Sequence, residues 1–346
     1  MIPQNLFFKP YACCIPVKGF GRSIIYDLNR SVFTYIPNSL FEIMKEHQGQ
    51  TVAQIKQSVE PYYWDILDKY FDFLLQNEFI LLANAKEELN LFPALELSYQ
   101  SPSSISNAII QIKETVTINL PHLIEELSVL GCRAIQIVFY GEGDVNFLSK
   151  VLTLFDKSRI GSIEVFMKYN ENISESILDQ IINKFRRIHK LTLYAATKDL
   201  IFRNFHFRMQ AISFITRSID YRLQMPIKDT SNFRTNIDLF CESQKFNTYF
   251  NQKVVIDING NIKNAPNTEI SFGNVNDQSL AEIIHTEEFQ ALWHIKKDDI
   301  EICNLCEYRY MCVDNRIPKK KENKWVHSEK CNYDVYKCQW NTNSLT

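Results

Sequence analysis

The chain has 346 residues, with 38 Lys and Arg against 40 Asp and Glu, a formal net charge of −2 and an apolar fraction of 45%. A chain of that length and composition makes a globular protein of two or three domains, and the near-neutral balance excludes a dedicated nucleic-acid binder, which would carry a basic footprint. The longest apolar runs, such as FILLA from Phe79, are far below what spans a bilayer. MIPQNLFFKPYACC lacks the regions of a secretory signal, so a cytoplasmic protein is expected. Its reducing compartment disfavours disulfides, and nine cysteines cannot all pair within one chain.

In chain order, Arg22–Leu28 (RSIIYDL) reads as a strand. A helix follows from Ser39, with Glu42 three residues on as a capping box and Gly49 as its stop; a second opens the same way on Thr51 and Gln54. A third begins near Pro61 and places Tyr63, Ile66, Leu67, Tyr70, Phe71 and Leu74 on one stripe. The segment Phe79–Leu82 then reads as a strand. Three short helices closed by a strand suggest a winged-helix-like unit over residues 1–95. Its third helix carries Glu60, Asp65, Asp68 and Asp72 against Lys69, a face that repels phosphate. A packing role and peptide binding at a strand edge or groove both fit this unit.

From Ile105 the pattern alternates: NAIIQI, RAIQIVFY, SIEVFMKY, KLTLYAA and MQAISFIT read as strands. LPHLIEELSVLG (stopped at Gly131), NFLSKVLTLFDKS and SESILDQIINKFRRI read as the helices between them. Such alternation makes a largely parallel sheet, and about five strands fit an open sheet or partial (β/α) barrel over residues 96–235 better than a full barrel. The loop YGEGDVN (Tyr140–Asn146) lies at the carboxyl end of a strand, where ligands of parallel sheets bind. That makes Gly141, Glu142 and Gly143 candidate cofactor-binding residues, although two glycines around a glutamate also make an ordinary tight turn.

In the last third, VVIDINGNIKNA contains the Asn259–Gly260 signal of a two-residue hairpin turn, and SLAEIIHTEEFQALWHI reads as one helix capped by Ser279 with Glu282. Then come CNLCEYRYMC, with Cys303, Cys306 and Cys312, and CNYDVYKCQW, with Cys331 and Cys338. Two thiolates separated by two residues converge on one centre from a single turn. Cys303, Cys306, Cys312 and Cys331 supply four sulfurs, enough for tetrahedral zinc or a cubane iron–sulfur cluster; Cys338 and Cys241 are further candidates. The spacing does not choose between the two metals. His285, His294 and His327 are scattered and read as surface or packing residues, Cys132 as core, and Lys319–Lys321 as a solvated turn. Cys13 and Cys14, adjacent in a strand-like segment, would point opposite ways and chelate one atom only with difficulty.

The stretches CCIPVKG, SLAEI, WHIKKDDIEICNLCEYRYMCVDNRIP and CNYDVYKCQW resemble the SPASM-domain peptide maturases of grasp-with-spasm systems, relatives of the radical S-adenosylmethionine enzymes. The resemblance implies an α/β protein with a winged-helix-like N-terminal domain, a partial (β/α) barrel and a cysteine-rich SPASM-like domain over residues 236–346. It further implies a precursor peptide and an ATP-grasp peptide ligase as partners, with neither nucleic acid nor membrane; a homo-oligomer is compatible with it. This chain departs from the radical enzymes in having no Cys-x3-Cys-x2-Cys loop: KETVTINLPHL after the first sheet strand contains no cysteine. YGEGDVN stands where those enzymes carry Gly-Gly-Glu-Pro, with Tyr140 for the first glycine and Gly143 for the proline. Reductive cleavage of S-adenosylmethionine is therefore not expected.

By the resemblance, Cys303, Cys306, Cys312 and Cys331 fit the second auxiliary cluster, with Cys338 as a substitute for Cys331. Cys241 fits the opening ligand of the first, but Ala265 and Arg316 stand where further cysteines are usual. One [4Fe–4S] cluster is expected, with zinc as the alternative. The leading expectation is a non-radical maturation factor that binds the precursor or presents it to the ligase. A redox or radical enzyme using an auxiliary cluster and a zinc-stabilised assembly platform are the alternatives.

Overall fold

The computed structural model of the protein describes residues 3–115, 117–204, 210–219, 227–231, 233–327 and 329–341. The chain forms two compact units, the first from Met1–Tyr99, Pro226–Thr248 and Ile295–Thr346, the second from Gln100–Met225 and Tyr249–His294.

The first unit opens with β1 (Phe7–Pro10), β2 (Cys14–Val17), β3 (Ser23–Asp27) and β4 (Val32–Ile36), followed by α1 (Asn38–Glu46), α2 (Val52–Gln57), α3 (Trp64–Gln76) and β5 (Ile80–Ala83). β2, β3 and β4 form an antiparallel sheet, and β5 returns to pair antiparallel with β1. All five residues of the central β3 are buried. The capping box on Thr51 and Gln54 forms: Gln54 N donates to Thr51 Oγ1 at 3.2 Å and Thr51 N to Gln54 Oε1 at 2.9 Å. The box expected on Ser39 does not. α1 starts one residue earlier with no side-chain cap, because Ser39 is engaged with the Tyr70 hydroxyl at 2.8 Å and Glu42 pairs with Lys18. α3 turns Leu67, Phe71 and Leu74 inward, with Phe71 edge-on to Phe8 at 4.9 Å. Tyr63 and Ile66, expected on that stripe, are exposed.

The second unit is built on β6 (Asn107–Lys113), α4 (Leu120–Val129), β7 (Ala134–Tyr140), α5 (Val145–Thr153), β8 (Ser162–Lys168), α6 (Glu175–Lys184), β9 (Ile188–Tyr194), β10 (Leu200–Asn204) and β11 (Gln210–Ile215). All five expected strands and three helices are present; Met209, expected in the last strand, lies outside the described residues. Past α7 (Ile237–Ser243), which belongs to the first unit, β12 (Lys253–Ile256) and β13 (Ile262–Lys263) complete one eight-stranded sheet in the order β10-β11-β9-β8-β7-β6-β12-β13. The six strands from β11 to β12 run parallel, and an antiparallel hairpin strand flanks each end.

Two local expectations are corrected here. The β12–β13 loop has three residues instead of two: Asp257 N bonds Asn261 O at 3.1 Å, Gly260 N bonds Asp257 O at 2.9 Å, and Gly260 takes φ +83°. That is the turn-plus-left-handed-glycine form of a hairpin, held by Asp257 Oδ1, which accepts from the backbone of both Asn259 and Asn261. The helix expected over SLAEIIHTEEFQALWHI is divided into α8 (Leu280–Ile284), α9 (Glu287–Gln290) and a 3₁₀ turn over Ala291–His294. Thr286 interrupts it by capping α9 through its side chain, which accepts from Phe289 N at 3.3 Å. The chain ends with two small hairpins of the first unit, β14 (Pro318–Lys321) with β15 (Lys324–His327) and β16 (Tyr333–Asp334) with β17 (Gln339–Trp340). Lys319–Lys321 thus lies in a strand, with all three residues exposed. No helix among the described residues is long and apolar enough to cross a membrane.

Cys132, expected as core, is fully buried after α4, and burial raises its thiol from 9.0 to about 12. The unfolded chain ionises this thiol near 9.0 while the folded chain keeps its proton, so its contribution is complete below pH 9 and is lost as pH rises towards 12. Urea denaturation of the parent and Cys132→Ala should show the parent's advantage shrinking by about 2 kcal/mol between pH 8 and pH 10.5. A pH-independent difference would contradict the buried-thiol assignment.

Candidate metal centre

The C-terminal cysteines sit on loops and short turns of the first unit. Ile302 adopts φ +71°, a conformation β-branched residues rarely take. It turns the chain into the 3₁₀ turn Cys303–Leu305, closed by Cys306 N on Cys303 O at 3.0 Å. Cys306, Cys312, Cys331 and Cys338 flank one apolar cluster that contains Tyr308, Met311, Tyr333 and Val335 together with Val17, Ile24, Tyr26 and Leu28 of the N-terminal sheet. Glu307, fully buried, joins the same parts: Arg22 Nε donates to its Oε1 at 2.8 Å, the Tyr333 hydroxyl donates to the same oxygen, and the Tyr26 hydroxyl donates to its backbone carbonyl at 3.0 Å. A turn between β2 and β3 and the cysteine loops are thereby one packed structure.

Four of the six candidate sulfurs share one electrostatic environment. Burial raises Cys303, Cys306 and Cys312 above the usual thiol range, and their neighbours raise them further: Cys331 acts on Cys303 and Cys312, and Cys303 acts on Cys306 and Cys312. Thiols this desolvated and mutually repelling are costly as separate anions, and a cation bound among them would offset both costs by attracting each thiolate. Among the described residues no three of these sulfurs lie all within 4.8 Å of one another.

Two backbone amides point at the sulfurs. Tyr333 N donates to Cys331 Sγ at 3.5 Å, and the Tyr308 amide lowers Cys306 by a hydrogen bond. Opposing charge is also in place. Lys297, 2% exposed, pairs with Asp314 at 3.1 Å, and Arg316 clasps the same carboxylate through Nε and a second guanidinium nitrogen at 2.6 Å. Lys297 and Arg316 both lower Cys303, and these two cations hold Asp314 far below the usual carboxylate range despite its burial. His327, expected as an isolated packing or surface residue, stands 3.4 Å from both Lys297 Nζ and Asp314 Oδ2. Burial and then Lys297 lower its pKa to about 3, which keeps the ring neutral. Single-residue spacing carries no signal for this group, since Lys297 lies in a 3₁₀ turn, Asp314 in a loop and His327 at the end of β15.

The other two candidates lie apart from that coupling. Cys241 is buried on α7, its thiol raised by burial and then by Asp238 and Glu96. Cys338, at φ +54°, directs its sulfur towards Val335 O at 3.8 Å, and a Cβ on Gly21 would meet that sulfur at 2.6 Å. Ala265, the position after Gly260 where a ligand is usual, is fully buried.

The loop carrying Gly141, Glu142 and Gly143 follows β7 and leads into α5, capped by Asp144, which accepts from Asn146 N at 2.7 Å. Glu114 Oε1 accepts from Glu142 N at 3.1 Å, Lys168 holds the Glu142 carboxylate at 2.9 Å, and Asn170 donates to the Glu142 carbonyl at 3.1 Å. Gly143 takes φ +76°, and a Cβ there would meet Lys168 O at 2.4 Å. The gap beneath the loop is about 10 Å³, room for about one water and no cofactor. A larger cavity of about 880 Å³, which the sequence did not reveal, opens nearby in the same unit. It is lined by Lys113 and Tyr140 at the ends of β6 and β7 and by Asp257, Asn259, Asn261 and Lys263 of the β12–β13 hairpin.

Residues 248–307 match the SPASM family model, an iron–sulfur cluster-binding domain. The match includes Cys303 and Cys306 and stops before Cys312, Cys331 and Cys338. No curated protein matches the chain. Among solved structures it is similar to Streptococcus suis SuiB bound to S-adenosylmethionine, at 11% identity and a TM-score of 0.38, covering 90% of this chain and 94% of that one. SuiB bound to precursor peptide SuiA matches at 9% identity and a TM-score of 0.30, with the same coverage.

The donor set fits an iron–sulfur cluster. Amide hydrogen bonds to sulfur and buried cations are the features that stabilise such an anionic cluster.

Proposed function

We propose that the chain is a maturation factor for a ribosomally made peptide, with Cys303, Cys306, Cys312 and Cys331 holding one [4Fe–4S] cluster and the first unit receiving the precursor. When bound, the cluster supplies electron storage or a rigid brace. The thiols hold it, Lys297 and Arg316 offset its charge, and the Tyr308 and Tyr333 amides donate to its sulfurs. On this reading residues 1–95 act as the winged-helix-like receptor, 96–235 as the partial barrel and 236–346 as the SPASM-like part.

The observation that carries the receptor role is a groove of about 550 Å³ lined by every residue of β5, Ile80–Ala83, with Tyr11, Leu75, Leu91 and Phe92. Among the described residues β5 pairs with β1 along one edge only. An extended peptide can add to the other edge through backbone hydrogen bonds and set its apolar side chains against Leu91, 77% exposed, and Phe92, 48% exposed. The natural occupant is the leader of a precursor modified by a partner ATP-grasp ligase. Residues 1–95 share a core with Tyr308 and Met311, so the test uses point variants of the full chain. Leu91→Asp and Phe92→Asp should weaken binding of a labelled precursor at least about tenfold, roughly the loss of one buried apolar anchor, with unchanged thermal stability. Unchanged affinity would remove the receptor role, and failure of the intact protein to bind both precursor and ligase would remove the maturation role.

The polar cavity at the carboxyl end of the sheet favours a second reading, in which the peptide is modified there by a redox reaction. Reductive cleavage of S-adenosylmethionine is not part of either reading: four cysteines leave no open iron, and the Glu142 loop is closed by Glu114 and Lys168. Incubation with S-adenosylmethionine and a strong reductant should give no 5′-deoxyadenosine above a metal-free control. Production lost in Cys303→Ala would contradict this.

A further inference from the structure

We propose that Cys13, Cys14 and Asp27 form a zinc-binding site in the N-terminal sheet, separate from the C-terminal cysteines. Their ligand atoms all lie within 4.8 Å of one another, the only such group of His, Cys, Asp or Glu among the described residues. The two sulfurs are 4.0 Å apart, close to the separation of about 3.8 Å that a single tetrahedral zinc imposes on two thiolates. This overturns the expectation from strand alternation. Cys13 closes the turn from Tyr11, whose carbonyl accepts from Cys14 N at 2.9 Å, whereas Cys14 is the first residue of β2. Strand alternation therefore does not govern Cys13, and both sulfurs reach the same side.

The carboxylate arrives by strand register. Cys14 stands directly opposite Asp27 in the β2–β3 ladder, and cross-strand neighbours share a face. Leu28 N donates to Cys13 O at 3.0 Å, which fixes the second cysteine beside the same strand end. Asp27 is 1% exposed and Cys14 is 2% exposed, and Cys13 is half-buried beside them, so two of the three potentially anionic donors meet where water screens little. Burial, then Cys13, then Asp27 raise the Cys14 thiol to about 12, the mutual repulsion that a bound cation relieves.

Charge closes around a divalent ion. Two thiolates and one carboxylate carry three negative charges; zinc supplies two positive charges and Arg30, which pairs with Asp27, supplies the third. Asp27 Oδ1 accepts from the backbone of Asn29 at 3.1 Å and Arg30 at 2.8 Å, which orients the carboxylate as a supporting shell does for a metal ligand. A fourth zinc position remains for water or a substrate donor. Nothing in this site depends on what the C-terminal thiols hold.

The test is zinc uptake by the full chain after anaerobic iron–sulfur reconstitution, measured against a chromophoric chelator, with cobalt(II) as the spectroscopic probe. The parent should take up one equivalent more than the Cys13→Ser, Cys14→Ser double variant, and its cobalt complex should show a near-ultraviolet thiolate charge-transfer band that the variant lacks. Asp27→Asn, which keeps both thiols, should weaken zinc about 10–100-fold, and Arg30→Gln, which removes a competing cation, should tighten it. Equal zinc uptake by parent and double variant overturns the site. Should the double variant fail to fold, unchanged affinity in both Asp27→Asn and Arg30→Gln overturns it equally.

Discussion

Cys306→Ala is expected to abolish the visible absorption of the reconstituted protein and to unfold much of the first unit, whereas Cys132→Ala leaves that absorption intact. The two thiols differ in what surrounds them. Cys306 shares its environment with Cys303, Cys312 and the buried Glu307, and on the proposed reading it holds a metal whose binding free energy is folding free energy for this loop region. Cys132 is a buried core thiol whose sulfur lies 3.4 Å from Ala134 O, and its truncation removes about 1 kcal/mol of packing. Metal content and thermal melting of both variants check this, and equal metal loss in the two would remove Cys306 from the ligand set.

The second large effect is expected at Asp314. Asp314→Ala leaves Lys297 and Arg316 buried with their shared carboxylate gone. Breaking a buried ion pair from one side costs about 3–5 kcal/mol, a fall of about 10 °C for a unit of this size. The sign does not depend on the metal, since both cations lose their partner in either state. Lys324→Ala is the control: its pair with Glu301 spans 3.2 Å between side chains 69% and 50% exposed, and such pairs contribute under about 1 kcal/mol. Calorimetry of the two variants should separate them clearly, and comparable losses would mean that the Lys297–Asp314–Arg316 cluster is solvated.

What the sequence disclosed follows from the range of each interaction. Helices and strands of the sheet were legible from Ile105 to Ile215 because periodicity is local, and so was the Thr51 cap, which spans three residues. Partners distant in sequence were not. β12 joins the sheet beside β6, a neighbour more than a hundred residues earlier, and no pattern within VVID announces it. Ser39 has the right spacing for a cap, yet Tyr70 takes its hydroxyl. The cysteine spacing is what proposes a metal centre, while the charged group beside those thiols, Lys297, Asp314, Arg316 and His327, needed the fold to assemble it. Cys13 and Cys14 were misread because strand alternation was extended one residue too far, into the turn before β2.

The most direct test of the account is elemental analysis of protein purified anaerobically from iron-replete cells, with acid-labile sulfide measured on the same sample. A single C-terminal cubane predicts about four iron and four sulfide per chain, both lost in Cys306→Ala. Absence of labile sulfide, together with stoichiometric zinc that disappears in Cys306→Ala, would contradict it.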